Sequence, residues 1–533
     1  MLVSDIPEIA AHHAADKPAL LFQDRRWTFA QLRDRSWQLS NALLTLAKPH
    51  DRVAILAENC PEYTEAYYGV PGAGMGLVFL NYRLAPRELV YILNDSAPSV
   101  LLVQPKYLET IRKIRPELTS VQHVVVIGDG AADAFAYEEL IARGKPHAPP
   151  VRPDENDLAW LLYTSGTTGL PKGAMLSHRN LLAAMLNAMS GGAEAPPDEI
   201  CLFMFPQFHV AGYVMPMYHL RNWPVVLLDV FDAVNFLKAV ERHRVTSAPI
   251  APTMLAMLLE NPETQKYDLS SLRSLGYGAS SMPLEVLRRA RRQWPGIGFA
   301  TGFGMTELAG NVMSLSKDDH ERAAEQDLEI LRSVGRQMPL ARVRVLLEDN
   351  SDAPPNVPGE IVVKGDQVLT GYWNNEKATK ESFIDGWFRT GDVGRWDENG
   401  YLYIVDRKKD MILTGGENVY PREVEEVLYT HPAVVEAAVI GIPDPKWGES
   451  VVAVLHVRDS EPAPAEIIAF CKERIASYKK PRFVAFVAEL PKNASGKVLK
   501  RELRARIADG TLEIRGRLKR SVAEQVSAQT RSD

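Results

Sequence analysis

The stretch Tyr163-Thr164-Ser165-Gly166-Thr167-Thr168-Gly169-Leu170-Pro171-Lys172-Gly173 gathers small hydroxyl residues, glycines and one lysine directly after the apolar run 160–162. The run reads as a strand, so the glycine-rich stretch sits at a strand end. Glycine lets backbone N–H groups approach an anion closely, and hydroxyls and an ammonium add donors. An anion cradle and an ordinary flexible loop both fit that composition. A Walker A loop does not, because Pro171 stands where its second glycine belongs and Gly173 where Ser or Thr belongs. The nearest GxGxxG candidate, Gly296-Ile297-Gly298, has Thr301 in place of the third glycine. Neither a P-loop NTPase nor a dinucleotide-binding enzyme is supported.

Outward from this loop, β-branched runs alternate with longer amphipathic stretches. Residues 52–56, 100–103, 124–127 and 225–228 read as further strands, and 28–46, 180–189 and 284–294 as helices. That alternation predicts α/β layers with parallel sheets in a large N-terminal domain, residues 1–408. Its last part, about 335–408, reads as a β-rich subdomain, with short strands at 342–347, 360–363 and 401–405 separated by Pro, Asp, Asn and Gly. The charged run Asp406-Arg407-Lys408-Lys409-Asp410 marks a boundary. Beyond it come a helix from Pro421, which suits a first turn, strands at 434–442 and 451–457, a helix at 465–476 and a strand at 483–487. They predict a small α+β C-terminal domain, residues 409–508. Residues 509–533 read as a polar, loosely attached tail.

The 533 residues are 46% hydrophobic and 24% charged, which excludes wholesale disorder, collagen and coiled coil. A net charge of −6 argues against a nucleic-acid partner. Cys60, Cys201 and Cys471 are far apart and show neither a disulfide framework nor a metal spacing, which fits a reducing compartment. No apolar run approaches the ~20 residues of a membrane span. The most apolar window, 70–80, contains three glycines, and the first residues lack the basic start of a signal peptide. A cytoplasmic protein without a transmembrane segment is expected, and a homodimer is compatible with the sequence.

The stretch 163–173 resembles the signature loop of the adenylate-forming superfamily of acyl-CoA synthetases, luciferases and peptide-synthetase adenylation domains. Further motifs resemble that family in its order. They are Thr301-Gly302-Phe303-Gly304-Met305-Thr306-Glu307, with Phe303 where tyrosine is usual; Gly359 to Gly365 followed by Gly371-Tyr372-Trp373-Asn374; Trp387 to Asp392; Thr414-Gly415-Gly416-Glu417-Asn418; and Pro491 to Lys497. The resemblance covers roughly residues 20 to 505.

It implies an AMP-forming acid:CoA ligase of fatty-acid metabolism that uses ATP, Mg2+ and coenzyme A. An acid would attack the α-phosphate of ATP, pyrophosphate would leave, and a thiol would then displace AMP. Because anion meets anion, catalysis should be positioning and charge neutralisation. The resemblance assigns the β- and γ-phosphates to Thr164, Ser165, Gly166, Thr167, Thr168, Gly169 and Lys172. It assigns the metal to Glu307 with Thr164, and the α-phosphate to Thr306. Adenine would lie among Gly278, Ala279, Ser280 and the strand Thr301, Gly302, Phe303, Gly304, Met305. Asp392 would hold the ribose, with Arg407 near ribose or phosphate. Lys497 would be the mobile catalytic ammonium and Gly416 would line the pantetheine tunnel. The family's small domain turns about a residue corresponding to Lys409, where many members carry aspartate. His209, in Phe205-Pro206-Gln207-Phe208-His209-Val210-Ala211-Gly212-Tyr213, would gate the acyl pocket or touch the acid. With Val214, Met215, Met217 and Tyr218 nearby, a hydrophobic fatty or aromatic acid is expected. An acyl-AMP ligase that loads a carrier protein is the alternative.

Overall fold

The computed structural model describes residues 1–130, 133–164, 170–190, 198–278, 282–326, 328–407, 410–415, 417–458, 460–492 and 498–516. The mixed α/β chain forms two units. One comprises Met1–Gly278, Gln293–Val343 and Val362–Phe388; the other comprises Ala279–Arg292, Arg344–Ile361 and Arg389–Asp533.

The first unit holds two large sheets. One runs, in spatial order, Gly371–Tyr372, Lys172–Ser177, Leu158–Thr164, Gly76–Phe79, Arg52–Leu56, Val100–Val103, His123–Val126 and Phe135–Ala136. Its central pairings are parallel. Gly76–Phe79 and Val100–Val103 are buried along their whole length, as strands covered on both faces must be. The helices Pro86–Ser96 and Pro105–Ile114 contribute Leu89, Ile92, Leu93, Ile111 and Ile114 to the same core. The other sheet runs from Arg336–Gln337 through Gly310–Leu315, Gly298–Met305, Ser274–Tyr277, Ser247–Ile250 and Cys201–Phe203 to Val225–Leu227, Pro18–Phe22 and Arg25–Thr28.

The strands expected at 52–56 and 100–103 form at those residues, whereas 160–162 is the centre of a longer strand, Leu158–Thr164. The helix expected at 28–46 is Phe29–Leu43, because Thr28 caps it. The Thr28 hydroxyl accepts from the Gln31 N–H at 3.2 Å, and the Gln31 side chain accepts from the Thr28 N–H at 2.9 Å. The apolar window 70–80 divides between the end of the helix Pro61–Gly72 and the strand Gly76–Phe79, all of it buried. Among the described residues no helix is long and apolar enough to cross a membrane. From Arg336 to Arg407 the described chain is a succession of short strands with one helix, Glu376–Glu381. Asn350, Asn356, Asn374 and Asp385 take positive φ at its turns, the conformation these short polar side chains tolerate.

In the second unit, the chain from Ile412 builds an α+β domain. Val434–Asp444 and Gly448–Val457 form a long antiparallel ribbon, and Gly448–Val457 pairs in parallel with Phe483–Phe486 across the helix Pro464–Lys472. Alternation sorts the ribbon onto two cores. Val439, Val451, Ala453 and Leu455 join Val424 and Leu428 of the helix Pro421–Tyr429 on one side. Ile440, Val452 and Val454 join Leu503 and Leu512 on the other. Two features escape the sequence reading. The helix Lys500–Ala508 carries only one fully buried residue, Leu503, so it has no apolar stripe to announce it. Residues 509–516 are mostly exposed but attached at two points. Leu512 is buried, and Arg515–Gly516 pairs with Phe483–Val484 at an otherwise open strand edge.

Candidate functional site

The glycine-rich stretch is the connection of a β-hairpin. Leu158–Thr164 pairs antiparallel with Lys172–Ser177, and Thr164 lies opposite Lys172. Ser165, Gly166, Thr167, Thr168 and Gly169 fall outside the described residues. The hairpin is fastened at its base. The Tyr163 hydroxyl donates to Asp95 Oδ2 at 2.5 Å, the Trp373 indole donates to the Asp95 carbonyl at 2.9 Å, and the Trp373 N–H donates to the Gly173 carbonyl at 2.7 Å.

Glu307 reaches the same place from the other sheet. It sits on the tight turn Thr306–Leu308 that ends the strand Gly298–Met305. That strand packs so closely on its neighbour that a Cβ on Gly304 would lie 2.0 Å from the Gly310 carbonyl. The turn is locked from outside. Gln367 donates to the Leu308 and Asn311 carbonyls at 2.8 and 3.0 Å, and the Leu369 N–H donates to the Glu307 carbonyl at 2.8 Å. The buried Glu307 carboxylate accepts from the Thr164 hydroxyl at 3.1 Å and from the Tyr372 hydroxyl at 3.1 Å, both on Oε1. Lys172 Nζ lies 5.1 Å from the centre of the Tyr372 ring. Thr164, Lys172 and Glu307, separated by up to 143 positions in the chain, are thus one cluster. Tyr372, Gln367 and Asp95 complete it. Of these, only Tyr372 stands in a motif visible in the sequence, and no spacing there pairs it with position 307.

Among the described residues no group of three or more His, Cys, Asp and Glu side chains could hold a metal ion. One carboxylate with a hydroxyl beside it suits Mg2+, which takes oxygen ligands and completes its shell with phosphate and water.

Gly278 follows the carboxyl end of the strand Ser274–Tyr277, where open α/β sheets bind ligands, and Thr301 is the partner of Tyr277 in the adjacent parallel strand Gly298–Met305. The Thr301 hydroxyl donates to the Tyr277 carbonyl at 2.8 Å. Gly302 is pressed against Asn311, while a Cβ on Gly278 would meet nothing within 4 Å. Phe303, Met305 and Thr306 are half-buried. Ala279 and Ser280 fall outside the described residues.

The segment bearing His209 is held by a buried amide network. Asn59 donates to the Phe205 carbonyl at 2.9 Å and accepts from the Gln207 N–H at 2.7 Å; the Gln207 side chain accepts from the Cys60 N–H at 2.8 Å and donates to the Thr64 hydroxyl at 2.9 Å. Within this fixed frame His209 Nε2 is buried and, among the described residues, has no hydrogen-bond partner. Burial, then the Arg83 charge, hold its pKa down at about 4, so the ring is neutral near pH 7. His219 differs: its Nε2 meets the Ala19 carbonyl at 3.0 Å and its Nδ1 meets the Tyr68 hydroxyl at 2.6 Å, so both nitrogens are satisfied. Met215 is fully buried against Gln207, and the Tyr218 hydroxyl bonds Ser247 at 2.7 Å. Met215 is thus a core residue, whereas Tyr218 is half-buried.

In the second unit Asp392 and Arg407 are cross-strand partners in the hairpin of Trp387–Trp396 and Leu402–Arg407. Asp392 is buried, and its N–H donates to the Thr390 hydroxyl at 3.1 Å. Lys497, Gly416, Lys408 and Lys409 fall outside the described residues. The flanks of 493–497 are described. Lys492 and Val498 form a β-bridge, and the Leu499 N–H donates to the Pro491 carbonyl at 2.8 Å, which closes the base of the loop. Lys492 is ion-paired with Glu436, and Lys500 with Glu425 at 2.8 Å.

A family model of AMP-binding enzymes matches residues 7–373, and a model of their C-terminal domain matches residues 423–497. The chain belongs to the AMP-binding enzyme family, the adenylate-forming superfamily. It is 39% identical to feruloyl-CoA synthase of an Amycolatopsis species over 90% of this chain and 94% of that protein. It is 36% identical to a long-chain-fatty-acid–CoA ligase of Bacillus subtilis over 92% of this chain and 91% of that one. Its structure resembles that of an anthranilate CoA ligase in complex with anthranoyl-AMP, with a TM-score of 0.87, 28% identity and coverage of 95% and 97% of the two chains.

Proposed function

We propose that this chain is an ATP-dependent carboxylic acid:CoA ligase acting in two steps on a hydrophobic fatty or aromatic acid. In the first, an acid oxygen forms a bond to the α-phosphorus of ATP, the bond to the β-phosphate oxygen breaks, and pyrophosphate leaves. In the second, the CoA thiol, losing its proton, attacks the acyl carbon and AMP departs. The observation that carries this reading is the full-length similarity to proteins named as CoA ligases, 39% and 36% identical.

The residue roles follow from charge. Thr164 and Lys172, at the two ends of the hairpin connection, hold the β- and γ-phosphates together with the residues between them. Thr306 donates to the α-phosphate. Glu307 and Thr164 hold Mg2+, which when bound neutralises phosphate charge. Asp392 accepts from the ribose hydroxyls, and Arg407 assists at ribose or phosphate. His209, neutral and with one nitrogen unpaired, faces the acid. Lys497 brings the ammonium that lets carboxylate and α-phosphate approach. The ion pairs at Lys492 and Lys500 support this last assignment, because they neutralise the two neighbouring lysines. We also place the small domain at 409–508, mobile about Lys409, and Gly416 on the path of the thiol. The three cysteines are free and buried, which supports the reducing cytoplasm as the compartment.

The test is pyrophosphate release and AMP formation with aliphatic acids of short, medium and long chain and with aromatic acids, each with and without CoA. The expected result is AMP and pyrophosphate in equal amounts, with turnover only when CoA is present. ADP as product overturns the reading. Full-rate release of acyl-AMP without CoA favours the carrier-loading alternative.

A further inference from the structure

We propose that Tyr372 is a positioning residue for adenylation, holding the Glu307 carboxylate and the Lys172 ammonium apart and each correctly aimed. The inference rests on the reading of Glu307 as the Mg2+ ligand and Lys172 as a phosphate ligand, and it adds the residue that makes both usable.

Three observations converge. First, Tyr372 and Thr164 both donate to Oε1 of Glu307, so two hydroxyls fix that oxygen of the carboxylate. Second, the tyrosine ring carries Lys172 on its face at 5.1 Å. A lysine and a buried carboxylate in one cluster would ordinarily form an ion pair, and the pair would neutralise the two charges an ATP site needs. With the ring beneath it, Lys172 takes a cation–π contact instead and keeps its charge for an anion. Among the described residues neither Lys172 nor Glu307 forms an ion pair. Third, Tyr372 is itself held on several sides. Its backbone is paired with Ala174 in the hairpin's outer strand, its N–H donates to the Thr379 hydroxyl at 2.9 Å, and its side chain is buried. A residue so constrained sets the geometry of the groups that touch it.

The experiment uses the full chain and compares wild type with Tyr372→Phe, Tyr372→Leu and Glu307→Gln. ATP binding is measured by calorimetry at stepped free Mg2+, without acid or CoA, alongside pyrophosphate release and the thermal midpoint. Tyr372→Phe removes the donor to Glu307 and keeps the ring. The Mg2+ concentration for half-maximal ATP binding should rise about tenfold, the effect of one hydrogen bond to a charged group. Metal-free ATP affinity should stay unchanged. Tyr372→Leu should in addition weaken metal-free ATP binding about threefold, through loss of the cation–π contact. If Glu307→Gln leaves the Mg2+ dependence at the wild-type value, the assignment of Glu307 fails and this inference with it. If Glu307→Gln shifts that dependence and Tyr372→Phe does not, the inference alone is overturned. Tyrosine variants that only lower the thermal midpoint, with Mg2+ and ATP affinities intact, overturn it equally and leave Tyr372 as core filling.

Discussion

Lys172 and Lys500 are both lysines at the edge of a glycine-containing motif, and both have a glutamate in their cluster, but the two regions are built to opposite ends. In the hairpin region a neutral ring supports Lys172, and the neighbouring carboxylate is satisfied by two hydroxyls. In the small domain Lys500 is bound to Glu425 at 2.8 Å, and Glu425 also accepts from the Val439 N–H at 2.8 Å. Burial acts to lower the Lys500 pKa, but Glu425, then Asp406, override it and raise it, so the ammonium stays charged and paired. The difference is between a cation paired with a carboxylate and one resting on a ring. A carboxylate partner neutralises a lysine and fastens the chain; an aromatic partner orients it and leaves its charge available.

That contrast is sharpest at Lys497. Lys497→Ala should slow pyrophosphate release about a hundredfold or more, the scale of losing one electrostatic stabiliser of a transition state. Thioester formation from supplied acyl-AMP should change by only a few-fold. Equal loss of both steps, measured by single-turnover assays, removes the adenylation role. At Lys500 the cost should fall on stability. Lys500→Met leaves Glu425 without its cation and should destabilise the small domain by about 3 kcal/mol, read from denaturant unfolding. The same change at Lys492, whose pair with Glu436 is shielded from water to the same degree, should cost a similar amount. A Lys500→Met chain of undiminished stability breaks the distinction drawn here. At Lys172 the effect should be the smallest on stability and confined to nucleotide. Lys172→Ala should raise the KM for ATP about tenfold, as for one lost charge-assisted contact, with the thermal midpoint within a degree or two of wild type.

Much of this was legible from residue order. The strands at 52–56 and 100–103, the capped helix after Thr28, the β-rich texture past residue 335 and the α+β domain after the charged run all follow from local patterns of burial and turn residues. Helix Lys500–Ala508 and the attachment of segment 509–516 did not, because each is held through one or two apolar residues whose burial depends on a neighbouring sheet. In the hairpin cluster, the motif residues Thr164, Lys172 and Glu307 stood out by type and order. The residues that hold them, Asp95, Gln367 and Tyr372, did not, since a side chain that acts through another carries no periodic or compositional mark. Met215 shows the converse: an apolar residue near a motif reads as pocket, and its full burial against Gln207 makes it core.

Sequence alone determined the family and the reaction type, because phosphate chemistry demands particular side chains in short local contexts. Only the tertiary structure decided which of those side chains meet. The Glu307 turn and the Thr164 strand end belong to different sheets, and their contact, together with the tyrosine that keeps lysine and glutamate from cancelling each other, arises from packing between segments far apart in the chain.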